Sequence, residues 1–197
     1  MLPSGSALRA NAAIVSLLVG LSALYAAEPP AIRPFGRAPS EREDAVPGCV
    51  ELSDGSIHPG LIYLTRGKPL QVYDQQTQRL QEIPLRAVQR IECTVKREWI
   101  EREWKFKETT SDEKMYTGRR YSAREYLHTI TLGDGRTITS PLSAIVYVEP
   151  QRQGKSEQFL LNKRAKGELG QDLKSLVYVK SIKLGKEAMA EGKKKGR

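Results

Sequence analysis

Residues 49–55 read Cys49-Val50-Glu51-Leu52-Ser53-Asp54-Gly55, and this short run decides the fold class. Val50 and Leu52 alternate with polar neighbours, the period-two pattern of a half-buried strand, and Ser53-Asp54-Gly55 is a hairpin-type turn. Outward from it the same grammar repeats. Leu61-Ile62-Tyr63-Leu64 stops at Arg66-Gly67-Lys68-Pro69. Leu70-Gln71-Val72-Tyr73 alternates again, Leu80 to Ile83 is a weaker strand, and Ala87 to Cys93 closes the set. Residues 49–93 therefore predict a small block of about five short strands.

A second block follows the same plan. Val50 to Gly55 matches Ile130-Thr131-Leu132-Gly133-Asp134-Gly135 at a spacing of 80 residues, and Gly60 falls on Ser140. Leu85-Arg86-Ala87-Val88 with Ile91 matches Leu173-Lys174-Ser175-Leu176 with Val179, now at 88, so the second copy carries an insertion near Pro150–Lys155. Its predicted strands are Thr129–Leu132, Ala144–Glu149, Gln158–Leu161 and Leu176–Ile182. The expected fold is mainly β: two small bent β-barrel-like blocks, 49–93 and 129–184, joined by an aromatic-rich segment at 94–128. On these few identities the match is either a tandem repeat or two unrelated Asp-Gly hairpins.

The first block resembles Sm-like and PRC-type small barrels in Val50, Leu52, Asp54, Gly55, Gly60, Ile83, Pro84 and Leu85. The resemblance implies a strongly bent five-stranded barrel whose first and last strands pair. That pairing would bring Cys49 and Cys93 onto neighbouring strands, within disulfide reach. It carries over no binding residue, because the shared pattern belongs to the backbone and such folds host many functions.

Residues 1–27 place Arg9 ahead of an apolar run from Ala12 to Leu24, followed by Ala26-Ala27. A short positive region, a brief apolar stretch and a small-residue exit read as a secretory signal peptide, expected to be cleaved, with an uncleaved anchor as the alternative. The run is short for a membrane span, which needs about 20 residues. Export predicts a secreted or periplasmic, cell-envelope location. In an oxidising compartment two cysteines suggest a Cys49–Cys93 bridge, with two buried free thiols as the alternative. Residues 28–48 hold Pro29, Pro30, Pro34, Pro39 and Pro47 and read as an extended linker. Residues 185–197 read as a basic disordered tail.

Segment 94–128 holds Trp99, Trp104, Phe106, Tyr116, Tyr121 and Tyr126, including both tryptophans of the chain. Opposite charges at i,i+4, such as Arg97–Glu101 and Glu101–Lys105, favour a helix. Against it, the apolar residues form no single helical stripe. As a strand, Ile100, Trp104 and Phe106 share one face with Arg102, while Glu101, Glu103, Lys105 and Lys107 share the other. A long strand is the favoured reading. Its polar-aromatic mixture resembles that of secreted bacterial proteins. Trp99, Trp104 and Phe106 are expected to form a core between the two blocks. The competing reading makes Trp99, Trp104, Arg119, Arg120 and Tyr121 a ligand-binding face, with Arg102, Lys105, Lys107 and Arg124 as further anion holders.

Thirty-two basic against 23 acidic residues give a net charge of +9, concentrated toward the C-terminus. Such a surface suits an envelope polysaccharide, another anionic surface or a protein partner, and outside the cell nucleic acid is a poor partner. Only His58 and His128 could act as an imidazole base, and no nucleophile elbow, H-E-x-x-H helix, phosphate loop or dinucleotide fingerprint is present. No catalytic, cofactor-binding or metal-ligating residues are assigned. Asp54 and Asp134 read as turn formers. The expected function is an exported, non-enzymatic binding or structural module of the envelope. The alternative is a polysaccharide hydrolase working through Glu98, Glu101, Glu103 or Glu108.

Overall fold

A computed structural model of the chain describes residues 42–110, 112–151 and 155–196. The expected signal peptide and most of the expected linker lie outside the described residues. The strands are β1 (Val46–Leu52), β2 (Ile57–Leu64), β3 (Leu70–Asp74), β4 (Arg79–Ile83), β5 (Val88–Phe106), β6 (Lys114–Leu132), β7 (Thr137–Ser140), β8 (Ala144–Glu149), β9 (Glu157–Leu161), β10 (Arg164–Leu169) and β11 (Val179–Leu184). One helix, α1 (Lys186–Lys195), follows, and 3-10 turns at Leu85–Ala87 and Leu173–Ser175 precede β5 and β11.

Nine strands form one antiparallel sheet in the order β10-β6-β5-β11-β1-β2-β8-β9, with β7 branching onto β6, and β3–β4 form a separate hairpin. The fold is mainly β as expected, but among the described residues no sheet closes into a barrel. The reason lies in one insertion of strand order. β11 pairs with β1 and with β5 at once, so the last strand of the second block occupies the edge of β1 that β5 was expected to fill. β5 turns instead to β6, the first strand of the second block.

Two of these strand pairs have matching details. Val50 faces Ile182 and Leu52 faces Val179, with a bulge between Glu51 and Leu52. Ile130 faces Ile91 and Leu132 faces Val88, with a bulge between Val88 and Arg90. At the adjoining turns Ser53 N–H donates to the Tyr178 carbonyl at 2.9 Å, and Gly133 N–H donates to the Ala87 carbonyl at 2.9 Å. Asp54 and Asp134 accept backbone N–H bonds from Ser56 and Arg136, at 2.9 and 3.0 Å, as turn formers do. At the centre Ile91 and Ile182 stand opposite each other. Because strands of both segments interleave, the described residues share one hydrophobic core. Val50, Ile62, Leu70 and Ile91 pack in the same cluster as Ile130, Leu142, Val146 and Ile182.

The tail expected to be disordered is helical from Lys186 to Lys195. Glu187 in its first turn and Lys193, Lys194 and Lys195 in its last complement the helix dipole, and Lys195 pairs with Glu191 at 2.5 Å. Gly192 is the contact point with β1. A Cβ there would come within 2.7 Å of the Cys49 Cβ, so a side chain would lift the helix off the sheet.

The expected disulfide is absent: Cys49 and Cys93 are free. Cys49 faces Lys183, and Lys183 faces Arg90, so Cys49 shares a face of the sheet with Arg90. Cys93 lies three residues beyond Arg90 and therefore points to the opposite face. β11 also separates the two strands, which puts them about 10 Å apart in the pairing direction alone, beyond the reach of a bridge. Protein unfolded without reductant should accordingly take up two equivalents of a thiol reagent. In the native protein Cys49, buried beneath α1, should react far more slowly than in the unfolded chain. An intact mass lowered by about 2 Da, the loss of two thiol hydrogens on bridging, would count against this strand order.

Candidate functional site

β5 and β6 overshoot the core as one long hairpin, so 94–106 is strand, the favoured reading. β11 covers β5 only at Arg90–Glu92, and β10 covers β6 only from Tyr121 to Glu125. From Cys93 to Phe106 the reach is about 40 Å at the usual strand rise. Past Arg120 neither strand has a third partner among the described residues. The base of the arm is clamped. Arg124 is buried, pairs with Glu98 at 2.6 Å and donates to the Leu173 and Leu176 carbonyls, while the Ser122 hydroxyl donates to the Gln171 carbonyl. Arg124 is thus a structural clamp and not a free anion holder.

Register divides the arm into two faces. Cross-strand partners share a face, and at the irregularity near Glu103 the opposing residues are Thr117, Gly118 and Arg119, so the alternation is preserved. Gly118 supplies the left-handed conformation, φ +81°, that this bulge requires.

The carboxylates of the odd-numbered face are paired within the protein. Trp99 sits between Arg97 and Arg164, each 5.0 Å from its ring centroid, and donates its indole N–H to Glu101 at 3.3 Å. Arg164 also pairs with Glu101, and Lys166 donates to the Tyr121 hydroxyl at 2.9 Å. Arg119 grips Glu103 at 2.8 Å, with the Thr117 hydroxyl on the same carboxylate. Burial pushes the Glu101 carboxyl up, but Tyr121, Arg164 and Lys166 outweigh it and hold the group below the ordinary range. The Thr117 hydroxyl and Arg119 likewise hold Glu103 down. A glycosidase acid needs a raised pKa, and these two carboxylates are shifted the other way.

The even-numbered face is different. Past Glu98 and Arg124 it presents Ile100, Arg102, Trp104 and Phe106 from β5, and Arg120, Tyr116 and Lys114 from β6. Trp104 and Phe106 meet edge to face at 5.1 Å, Lys114 lies 4.2 Å over Trp104, and Arg102 lies 4.5 Å over Tyr116. Ile100, Phe106 and Tyr116 are about half exposed, at 53%, 50% and 54%. No carboxylate stands on this stretch of the face, and Arg102, Arg120 and Lys114 make no ion pair among the described residues. Arg102 and Arg120 are direct cross-strand partners. Like charges so placed are destabilising unless an anion lies between them.

The five residues anticipated as a binding face are therefore split. Trp104 and Arg120 lie on the open basic face. Trp99, Arg119 and Tyr121 lie on the other, engaged by protein partners. The expectation that the tryptophans join two blocks as core is overturned. Neither is among the buried core residues, because the shared core leaves the arm outside it. Phe106, Tyr116, Lys114 and Ile100 complete the face. The period-two alternation of 100–106 carried that signal, but not which side meets solvent.

A second constellation lies under β9. Cys93 and His128 are direct cross-strand partners. They line a pocket of about 260 Å³ with Tyr126, Phe159, Leu161 and Tyr178. The pair is not set for nucleophilic catalysis. Burial pushes the Cys93 thiol up to about 12 and the His128 imidazole down to about 4, so both are neutral near pH 7.

Among the described residues no group of three or more His, Cys, Asp or Glu side chains could hold a metal ion, and no helix is long and apolar enough to cross a membrane. Comparison with known protein families, curated proteins and solved structures finds no match for this chain.

His128 gives this region a pH signature. Unfolded, it takes a proton near pH 6.5; folded, only near 4. The unfolded chain binds more protons between those values, so the stabilisation is complete above about pH 6.5 and declines as pH falls toward 4. From pH 7 to 4.5 the loss should be about 2 kcal/mol. Urea unfolding at the two pH values should show that drop in the native protein and a correspondingly smaller one in His128→Gln. Equal drops would assign the acid sensitivity elsewhere.

Proposed function

We propose that the chain is an exported, non-enzymatic binding module of the cell envelope, and that the even-numbered face of its long hairpin holds an anionic polysaccharide. One observation carries the reading: Arg102, Arg120 and Lys114 stand without carboxylate partners beside Trp104, Tyr116 and Phe106 on a free two-stranded ribbon. Cations take up carboxylate, sulfate or phosphate groups, and ring edges and faces pack on the apolar faces of sugars. An extended two-stranded ribbon offers an extended polymer a long row of contacts. The envelope location rests on the Arg9, Ala12–Leu24 and Ala26-Ala27 pattern. The net charge of +9 favours the approach of such a polymer at low salt.

The scaffold is read here as a tandem duplication in which the two copies exchange their last strands. Support comes from the paired registers at Val50/Ile182 and Ile130/Ile91, the bulge beside each, and the recurring turn bonds. This reading aligns Ile91 with Ile182 and keeps Leu85–Ala87 against Leu173–Ser175, so three extra residues enter the second copy before β11.

Binding of the purified protein to polygalacturonate, with neutral dextran as the control, tests the functional reading. Polygalacturonate should bind and dextran should not, and affinity should fall as ionic strength rises. Losing both arginines in R102A/R120A should weaken binding about 10- to 100-fold, the order expected for one to two charge-assisted contacts. Trp104→Ala should weaken binding too, while moving the melting temperature by no more than about 3 °C, as for a half-buried residue outside the core. Undiminished binding by R102A/R120A would remove the arm from the interaction. A collapse of the melting temperature in Trp104→Ala would return that ring to a structural role.

A further inference from the structure

The pocket under β9 shares no residue with the basic face of the arm, and its chemistry is of another kind. Its floor and walls come from β5, β6, β9 and the chain entering β11, with Leu52 of β1 and Ala165 of β10. At about 260 Å³ it exceeds the roughly 150 Å³ of an apolar cavity that takes up benzene. It has room for one ring with a short substituent. The lining contains no Lys, Arg, Asp or Glu. Phe159, Leu161, Tyr178 and Val179 make it predominantly apolar.

Against that apolar wall stand polar groups that the protein leaves unused. His128 is 1% exposed. Its Nδ1 accepts the Leu142 N–H at 3.3 Å, which leaves the ring proton on Nε2, and Nε2 has no hydrogen-bond partner among the described residues. The Tyr126 hydroxyl is buried beside Arg124 without a hydrogen bond of acceptable geometry. Arg124 gives its two terminal nitrogens to Glu98 and the Leu173 and Leu176 carbonyls, and its buried Nε has no hydrogen-bond partner. A buried donor without an acceptor is costly, and an acceptor brought by a ligand relieves that cost. A charged ligand would lose its hydration here and meet no counter-charge in the lining.

We propose that this pocket binds a small uncharged molecule with one ring or compact apolar body and one acceptor oxygen, the oxygen receiving the His128 Nε2–H and the body lying against Phe159, Leu161 and Tyr178. Leu160 and Val177, 51% and 52% exposed, form the rim through which it enters. The site is independent of polysaccharide binding on the arm.

The chain has only two histidines, so its imidazole nitrogens can be followed individually by nitrogen-15 NMR. Acetophenone, a single ring with a carbonyl acceptor, should shift the His128 Nε2 resonance saturably at pH 7. Ethylbenzene, which lacks the acceptor, should bind several-fold more weakly, and benzoate should not bind. Val177→Trp at the exposed rim should block acetophenone. Leu160→Trp on the facing rim supplies a second block in case the first disturbs the fold. Absence of a saturable His128 shift with acetophenone would overturn the proposal. So would equal binding of benzoate, or unaltered acetophenone binding in folded rim variants.

Discussion

The antiparallel contact between β5 and β11, with Ile91 opposite Ile182, is the constraint on which the rest of the molecule depends. Each of these strands has one edge given to the other and one edge given to the first strand of the opposite block. Neither block can then close on itself, and the two share one interior. The cysteines are parted by the same arrangement, since β11 stands where a bridge would have to pass. It also fixes the arm. Once β5 is committed to β6, the register set at Ile91 and Ile130 carries both strands past the core in step, and their surplus length becomes a ribbon in solvent.

Much of the fold was legible because short strands announce themselves by alternation and by turn residues. Ala144-Ile145-Val146-Tyr147-Val148-Glu149 became a strand with the bounds its pattern implied. β7 was missed because Thr137–Ser140 has one apolar residue, Ile138, and β10 because Arg164-Ala165-Lys166-Gly167-Glu168-Leu169 buries almost nothing. Both are held by pairing with β6, a long-range partner that local pattern does not reveal. α1 was missed for a related reason. Gly192 weakens a helix on propensity alone, and its value lies in the close approach to Cys49. Strand order was the least legible feature, because an alternating strand reveals which face it buries and not which neighbour it takes.

The binding face was half legible for the same reason. Alternation grouped Ile100, Trp104 and Phe106 with Arg102, and the register keeps that grouping. It could not say whether the group points inward. Aromatic content argued for core, but the interleaved blocks already supply a core from Val, Leu and Ile, so the aromatic side has nothing to cover. Choosing Trp99, Arg119 and Tyr121 by residue type mixed the two faces. Their partners Arg164 and Lys166 arrive from β10, a strand the pattern did not announce. The Cys93–His128 pocket was invisible in the sequence, since its parts come from five separate stretches.

The placement of β11 has a further consequence for how the chain reaches this state. β1 lies near the beginning of the described chain and β11 near its end, and β11 fills the edge beside β1. The first hairpin can form early, but its sheet stays open until nearly the whole chain is present. Closing so long a loop is entropically costly, and folds dominated by distant pairings are slow to form. Until β11 arrives, the edges of β1 and β5 are both exposed, side by side with the gap of one strand between them. That gap is a template any extended chain can fill, including β11 of another copy. Intermolecular strand exchange is therefore the characteristic hazard of this topology, and it is greatest when folding is slow and the protein concentrated.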